Sequence, residues 1–129
     1  MNETIRRFLL LEGISFAIAG LFHSGALVNG YEHREAAIAE SVIAVVLLVG
    51  FGLTRVWPAW TRLIGIVSQG FALLGTLVGV FVIAIGVGPR TVPDIVYHVA
   101  IVVVLIWGLV VAARAPADTT RPQPRMETE

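Results

Sequence analysis

Residues 63–89 read LIGIVSQGFALLGTLVGVFVIAIGVGP, and the nearest charged residues are Arg62 before this stretch and Arg90 after it. About 20 predominantly apolar residues are enough for an α-helix to cross the ~30 Å hydrocarbon core of a bilayer. The stretch therefore predicts a membrane-spanning helix at about residues 62–87.

Three other apolar runs have the same character and are separated by short polar breaks. The predicted helices cover about residues 5–28, 36–53, 62–87 and 94–113. Asn29-Gly30 and Gly88-Pro89 favour turns, and Thr91 or Val92 is a predicted N-cap for the last helix. The pattern predicts an all-α, four-transmembrane-helix bundle with up-down-up-down topology.

The domain organisation follows from the same runs. Residues 1–113 are expected to form a single transmembrane domain, with no room for a soluble catalytic domain. Residues 114–129 contain three prolines and several charges, so we expect a disordered cytoplasmic tail.

Composition excludes several classes of chemistry. The chain is 57% hydrophobic and 14% charged, whereas a soluble domain is about half apolar and a quarter charged. It has no cysteine, which excludes thiolate metal sites, cysteine-ligated iron–sulfur clusters and thiol redox catalysis. All nine basic residues are arginine, so lysine chemistry is absent, and the zero net charge does not indicate a nucleic-acid partner.

The arginines predict the orientation. If the N-terminus is inside, the outer loops hold only Arg34 and Arg90. The cytoplasmic segments then hold Arg6, Arg7, Arg55, Arg62, Arg114, Arg121 and Arg125. Positive residues concentrate on the cytoplasmic side of membrane proteins. We therefore expect both termini in the cytoplasm, in a plasma (inner) membrane of the bacterial type.

An outer polar layer is predicted from residue depth. His23 lies about five residues, or about 7 Å, below the outer end of the first predicted helix. Glu40 and His98 lie about four residues, or about 6 Å, into the second and fourth helices from the same side. Ionisable groups inside a membrane are costly and often functional.

Several interpretations of this layer stay open. Two imidazoles and a carboxylate are a recurrent ligand set for Zn, Fe or Mn, and two histidines at equal depth can ligate a haem. Additional ligands could come from His33, Glu32 and Asp94 just above. Alternatively, the layer is a proton or substrate site, or these histidines are interfacial and hydrogen-bond to loops and headgroups.

A second, inner layer is predicted at Glu12 and Gln69, roughly 10 Å from the cytoplasmic side. Glu12 and His23 are eleven residues apart, close to three helical turns, so they share one face of the first helix. This stripe predicts a path for protons or a substrate. The alternative is a structural pair, with Glu12 bonded to Gln69 or Ser15 to hold two helices in register.

Small residues also follow the third helix. Gly75-xxx-Gly79 allows close helix approach, either within the bundle or at a dimer seam.

Two families share features with this chain. Its size, its four-helix layout and a first helix with Glu12-Gly13 and Gly20-Leu21-Phe22-His23 resemble the small DoxX-like bacterial membrane proteins. That resemblance implies the bundle, and the group includes accessory subunits of quinone-linked oxidoreductases. The layout also resembles small multidrug resistance transporters, in which one glutamate of the first helix exchanges protons for cationic drugs, and Glu12 would be that residue.

Together these observations predict an integral membrane protein with a metal- or haem-binding polar site near the outer face, supporting redox or ion handling. The alternatives are a small proton-coupled transporter that uses Glu12, or a non-catalytic accessory subunit of a membrane complex. The expected partners are the lipid bilayer and either further copies of the chain or a larger complex.

Overall fold

The computed structural model describes residues 1–116, which fold into helices joined by short loops. The helices are α1 (Asn2–His23), α2 (Arg34–Val56), α3 (Thr61–Ala84) and α4 (Val92–Arg114), with a short 3-10 turn (Pro58–Trp60) before α3. For residues 1–116, the prediction of an all-α fold with four helices is confirmed. Most of the predicted tail, residues 117–129, lies outside the described residues.

Three of the four helices are long and apolar enough to cross a membrane. They lie at Arg34–Val56, Pro58–Ala84 and Val92–Arg114. α1 is not among them, and it carries four charged residues, Glu3, Arg6, Arg7 and Glu12. The three apolar helices are consistent with an integral membrane protein, whereas a fourth span through α1 stays a prediction.

The exterior of the bundle is apolar and its interior is partly polar. Large aliphatic side chains such as Leu74, Val87 and Val92 are 68%, 69% and 74% exposed. Soluble monomers rarely expose such extended apolar surface. The buried polar residues are Glu12, His23, Glu40, Thr54, Thr61, Ser68, Gln69, Thr76, Asp94 and His98. This distribution suits a surface facing lipid.

Two arginines show how the helix ends meet. Near the start of α1, Arg6 donates from Nη2 to the Thr54 carbonyl oxygen near the end of α2, at 2.7 Å. Near the start of α3, Arg62 donates to the Ala113 carbonyl oxygen near the end of α4, at 3.2 Å. A cation is favourable at a helix C-terminus, where carbonyl groups lack intrahelical partners.

Glycines allow the helices to approach closely. A Cβ atom on Gly13 of α1 would lie 2.8 Å from Leu48 Cδ2 of α2. On α3, Gly75 faces Ile43 of α2 and Gly79 faces His98 of α4. The Gly75-xxx-Gly79 pattern thus serves packing within the bundle, which was one of its two predicted roles.

The end of α1 differs from the prediction and changes the position of His23. The helix ends at His23, five residues before the predicted boundary at residue 28. Ser24 is its C-cap, and Gly25 has a φ of +78°, a conformation that glycine adopts readily. The backbone N–H of His33 then donates to the His23 carbonyl oxygen at 2.8 Å. His23 therefore lies at the end of α1 rather than inside it.

The start of α4 is stabilised by a capping box, as the Thr91 signal predicted. The Thr91 hydroxyl accepts from the Asp94 N–H, and the Asp94 carboxylate accepts from the Thr91 N–H and hydroxyl. Thr91→Ala removes the cap, so we expect the free energy of unfolding to fall by about 1 kcal/mol. Thermal unfolding in detergent measures this, with Thr91→Ser as the control that keeps the hydroxyl. Equal stability of Thr91→Ala and the parent would contradict the capping role.

Candidate functional site

The centre of the candidate site is a buried histidine between two carboxylates from different helices. His23 Nδ1 lies 2.7 Å from Glu40 Oε2 of α2, and His23 Nε2 lies 3.1 Å from Asp94 Oδ1 of α4. The exposed fractions of His23, Glu40 and Asp94 are 4%, 5% and 6%. We name these three residues the His23 cluster.

The charge of the His23 cluster depends on where its protons lie. With both carboxylates ionised, His23 must be an imidazolium that donates from both nitrogens. If Glu40 instead holds a proton and donates it to Nδ1, His23 is neutral and donates only from Nε2. Either arrangement places one proton in each hydrogen bond and leaves one net negative charge on the cluster. The two arrangements differ only by the transfer of one proton between Glu40 and His23.

His98 lies beside the cluster but does not bond to His23. Its Nδ1 donates to the Asp94 backbone carbonyl oxygen one helical turn earlier, at 2.7 Å. His98 was predicted from its depth to share a layer with His23 and Glu40, whereas Asp94 is the residue in direct contact with His23. The reason is that α1 ends at His23, level with the first turn of α4. Asp94 and His98 are four residues apart and share a helix face. This spacing was the sequence signal that Asp94 faces the same polar layer as His98.

The remaining outer candidates have separate roles. His33 is the N-cap of α2, and its Nδ1 accepts from the Ala36 N–H at 3.4 Å. Glu32 is exposed and accepts from the Gly30 N–H at 2.9 Å. The backbone N–H groups of Glu32 and Gly30 hold the pKa of Glu32 below its usual value. Neither residue joins the His23 cluster.

The second polar centre joins α1 and α3. Gln69 Nε2 lies 3.3 and 3.1 Å from the two carboxyl oxygens of Glu12, and both side chains are almost fully buried. Gly108 of α4 closes the site, because a Cβ atom there would lie 2.7 Å from Glu12 Oε1. We name Glu12 and Gln69 the inner pair.

A hydroxyl pair lies between these two centres. Ser15 Oγ donates to Tyr97 Oη at 3.4 Å, a long hydrogen bond between α1 and α4. The Tyr97 ring packs edge-on against Phe16 and against His98, with centroid distances of 6.2 and 5.6 Å. Tyr97 is not among the site residues predicted from the sequence. Its position three residues after Asp94 and one before His98 was the signal that it faces the bundle.

Three cavities reach the His23 cluster, and two of them lie at the ends of its hydrogen-bonded chain. The third measures about 440 Å³ and is lined by His23, Glu32 and residues of α2. A cleft of about 570 Å³ between α1 and α4 is lined by His23 and Asp94, together with Ser15, Tyr97 and apolar side chains. A second cavity of about 170 Å³, among α2, α3 and α4, is lined by Glu40 and His98. The hydrogen-bonded chain from Glu40 through His23 to Asp94 therefore connects the walls of two cavities.

The cluster geometry bears on the predicted metal or haem site. Within residues 1–116, no group of three or more histidine, aspartate or glutamate side chains is arranged to hold a metal ion. Both ring nitrogens of His23 face carboxylates, so ligation through His23 requires that one of these hydrogen bonds breaks. His98 keeps Nε2 available, because only Nδ1 bonds to the backbone.

The fold and site together define a helical, membrane-type bundle with buried ionisable centres. In comparisons with known proteins, no protein-family model, curated protein or solved structure matches this chain.

Proposed function

We propose that this protein is a proton-handling integral membrane protein and that the His23 cluster is its proton-transfer site. The observation that carries the proposal is the chain Glu40–His23–Asp94, which links two cavities through two hydrogen bonds. Imidazole is suited to relay because it has two distinct nitrogens and titrates near neutral pH.

The transfer conserves protons at every step. Starting with neutral His23, a proton from the α2–α3–α4 cavity binds Glu40 Oε1 while the proton on Oε2 moves to His23 Nδ1. The Nε2 proton then passes to Asp94, which releases it into the α1–α4 cleft. One proton enters and one leaves, so the cluster is neutral while the extra proton is bound and returns to one net negative charge on release. The starting arrangement is restored when the His23 ring proton exchanges from Nδ1 to Nε2 and the Glu40 carboxyl turns.

The inner pair supports a related proposal, a proton-coupled transporter that uses Glu12. Glu12 and His23 lie on one face of α1, and the Ser15–Tyr97 pair lies between them. Because the Gln69 amide is neutral, Glu12 can gain or lose a proton without breaking an ion pair. We propose that Glu12 and Gln69 extend the polar path toward the opposite end of the bundle.

The proposed membrane arrangement follows the arginines and the helix ends. Arg6 and Arg62 lie at one end of the bundle with the ends of α2 and α4, and the His23 cluster lies at the other. Four antiparallel spans then form one up-down-up-down domain with both termini cytoplasmic and the His23 cluster near the outer face. The apolar exterior can also hold further copies of the chain or a larger complex, as proposed for an accessory subunit.

Proton flux into proteoliposomes tests the proposal. Vesicles containing the full chain and a trapped pH-sensitive dye receive a pH step under a potassium diffusion potential. We expect His23→Gln and Asp94→Asn each to reduce protein-dependent flux at least tenfold, because each interrupts the chain. Glu3→Gln is the matched control, since its side chain is 66% exposed and lies at the opposite end of the bundle from the His23 cluster.

Two results would overturn the proton-transfer proposal. One is flux that is equal in the parent and in both cluster variants. The other result would favour the metal or haem interpretation. That interpretation is a second candidate because imidazoles and carboxylates lie close together near Glu40. Near-stoichiometric metal, or a Soret band, that disappears in both His23→Ala and His98→Ala would assign the cluster to a cofactor instead.

A further inference from the structure

We infer that the cavity among α2, α3 and α4 binds a small cation that donates hydrogen bonds, of the ammonium or methylammonium class. The inference goes beyond proton transfer, because it concerns binding at a cavity that the relay only touches. It rests on the unpartnered polar atoms of the residues that line the cavity, on the charge of the surroundings and on the cavity volume.

The polar atoms of the cavity need donors. Glu40 Oε1 is buried and has no hydrogen-bond partner among residues 1–116, while Oε2 is occupied by His23. His98 Nδ1 donates to a carbonyl oxygen, so in the neutral ring Nε2 carries a lone pair, and Nε2 lies beside Gly79 in the cavity wall. Thr76 also lines the cavity, and its hydroxyl already donates to the Ala72 carbonyl oxygen. An occupant that donates hydrogen bonds can satisfy all three acceptors, which are Glu40 Oε1, His98 Nε2 and the Thr76 hydroxyl oxygen.

The charge of the surroundings favours a cation over a neutral donor. Glu40 belongs to the His23 cluster, which carries one net negative charge in both protonation arrangements described above, and no arginine is among the residues that line the cavity. A buried uncompensated charge is costly, and a bound cation offsets that cost. At the loop end of the cavity, His33 and the exposed carboxylate of Glu35 also line the wall. That carboxylate attracts cations to the entrance.

The volume accommodates a small ion. The cavity measures about 170 Å³, and an engineered protein cavity of about 150 Å³ holds a benzene molecule. An ammonium or methylammonium ion therefore fits. The remaining wall is apolar, with Ile43 and Val82 among its side chains, and it can accommodate one methyl group of methylammonium.

Histidine NMR on the full-length protein in detergent micelles tests the inference. The sample carries ¹⁵N-labelled histidine and is titrated with ammonium chloride at constant pH and ionic strength. We expect a saturable shift of the His98 Nε2 signal. Potassium chloride is the parallel titration, because potassium is similar in size to ammonium but donates no hydrogen bond. It should give less than a tenth of the shift.

Two glycine variants on α3 make the test specific. A Cβ atom at Gly79 would lie 3.5 Å from His98 Nε2, ordinary contact that the fold tolerates but that fills the space before the nitrogen. Gly79→Ala should therefore weaken ammonium binding at least tenfold. Gly70→Ala is the matched control, because no atom lies within 4 Å of its added Cβ, and it should bind as the parent does. Glu40→Gln should also abolish the saturable shift.

The inference is overturned if the His98 signal does not respond to ammonium, if potassium gives the same shift, or if Gly79→Ala binds as the parent does. These outcomes are independent of the proteoliposome experiment. Loss of flux in His23→Gln with no ammonium binding would retain the relay alone. Ammonium binding without cluster-dependent flux would retain the cavity site alone.

Discussion

His23→Ala is expected to lower the free energy of unfolding by about 3–5 kcal/mol, because it removes the shared partner of two buried carboxylates. Glu40 and Asp94 would then lie close together in the interior without the imidazole between them. Each would have to protonate or draw water into the bundle. Chemical or thermal unfolding in detergent, followed by circular dichroism, measures the change.

The control for this prediction is His33→Ala, which removes a partly exposed histidine outside the cluster. It should cost about 1 kcal/mol or less, the usual value of a helix N-cap. The double variant His23→Ala/Glu40→Gln should be more stable than His23→Ala, because one unpaired carboxylate is gone. Equal stability of His23→Ala and the parent would show that the buried cluster contributes nothing to the fold.

Gly108→Ala is expected to destabilise the bundle by about 1–3 kcal/mol and to separate Glu12 from Gln69. The added Cβ would lie 2.7 Å from Glu12 Oε1 and 3.0 Å from Phe8 Cδ1, and it would overlap the Gln69 amide. Overpacking of a filled interior typically costs this much. A buried carboxyl that loses its amide partner adds its own desolvation cost. Unfolding in detergent measures the total.

The matched control for Gly108→Ala is Gly52→Ala on α2. No atom lies within 4 Å of the Cβ that this substitution adds. Alanine is also a better helix former than glycine by about 1 kcal/mol, so Gly52→Ala should be neutral or slightly stabilising. Opposite effects of the same chemical change would show that the inner pair needs the space at Gly108. If both variants behave alike, close packing at the inner pair is not what limits stability.

The helices of this protein could be predicted from local pattern, and their exact ends could not. Long apolar runs such as residues 63–89 leave a helix as the structure that satisfies its own backbone in lipid. The end of α1 depended on Ser24 and Gly25, which lie inside a run that reads as apolar up to Val28. Because helix ends fray and depend on cap geometry, hydropathy alone placed this boundary five residues too late.

The candidate site, too, was predicted in part from the sequence and decided in part by the tertiary structure. The sequence determined which residues are ionisable and buried in an apolar chain, because charges are rare there, and it placed Glu12 and His23 on one face of α1 through helical periodicity. Only the tertiary structure decided that His23 meets Asp94 rather than His98, and that Gly108 lies against the inner pair. These contacts depend on how far each helix is shifted and rotated against its neighbours, and those variables are set by side-chain packing across the bundle.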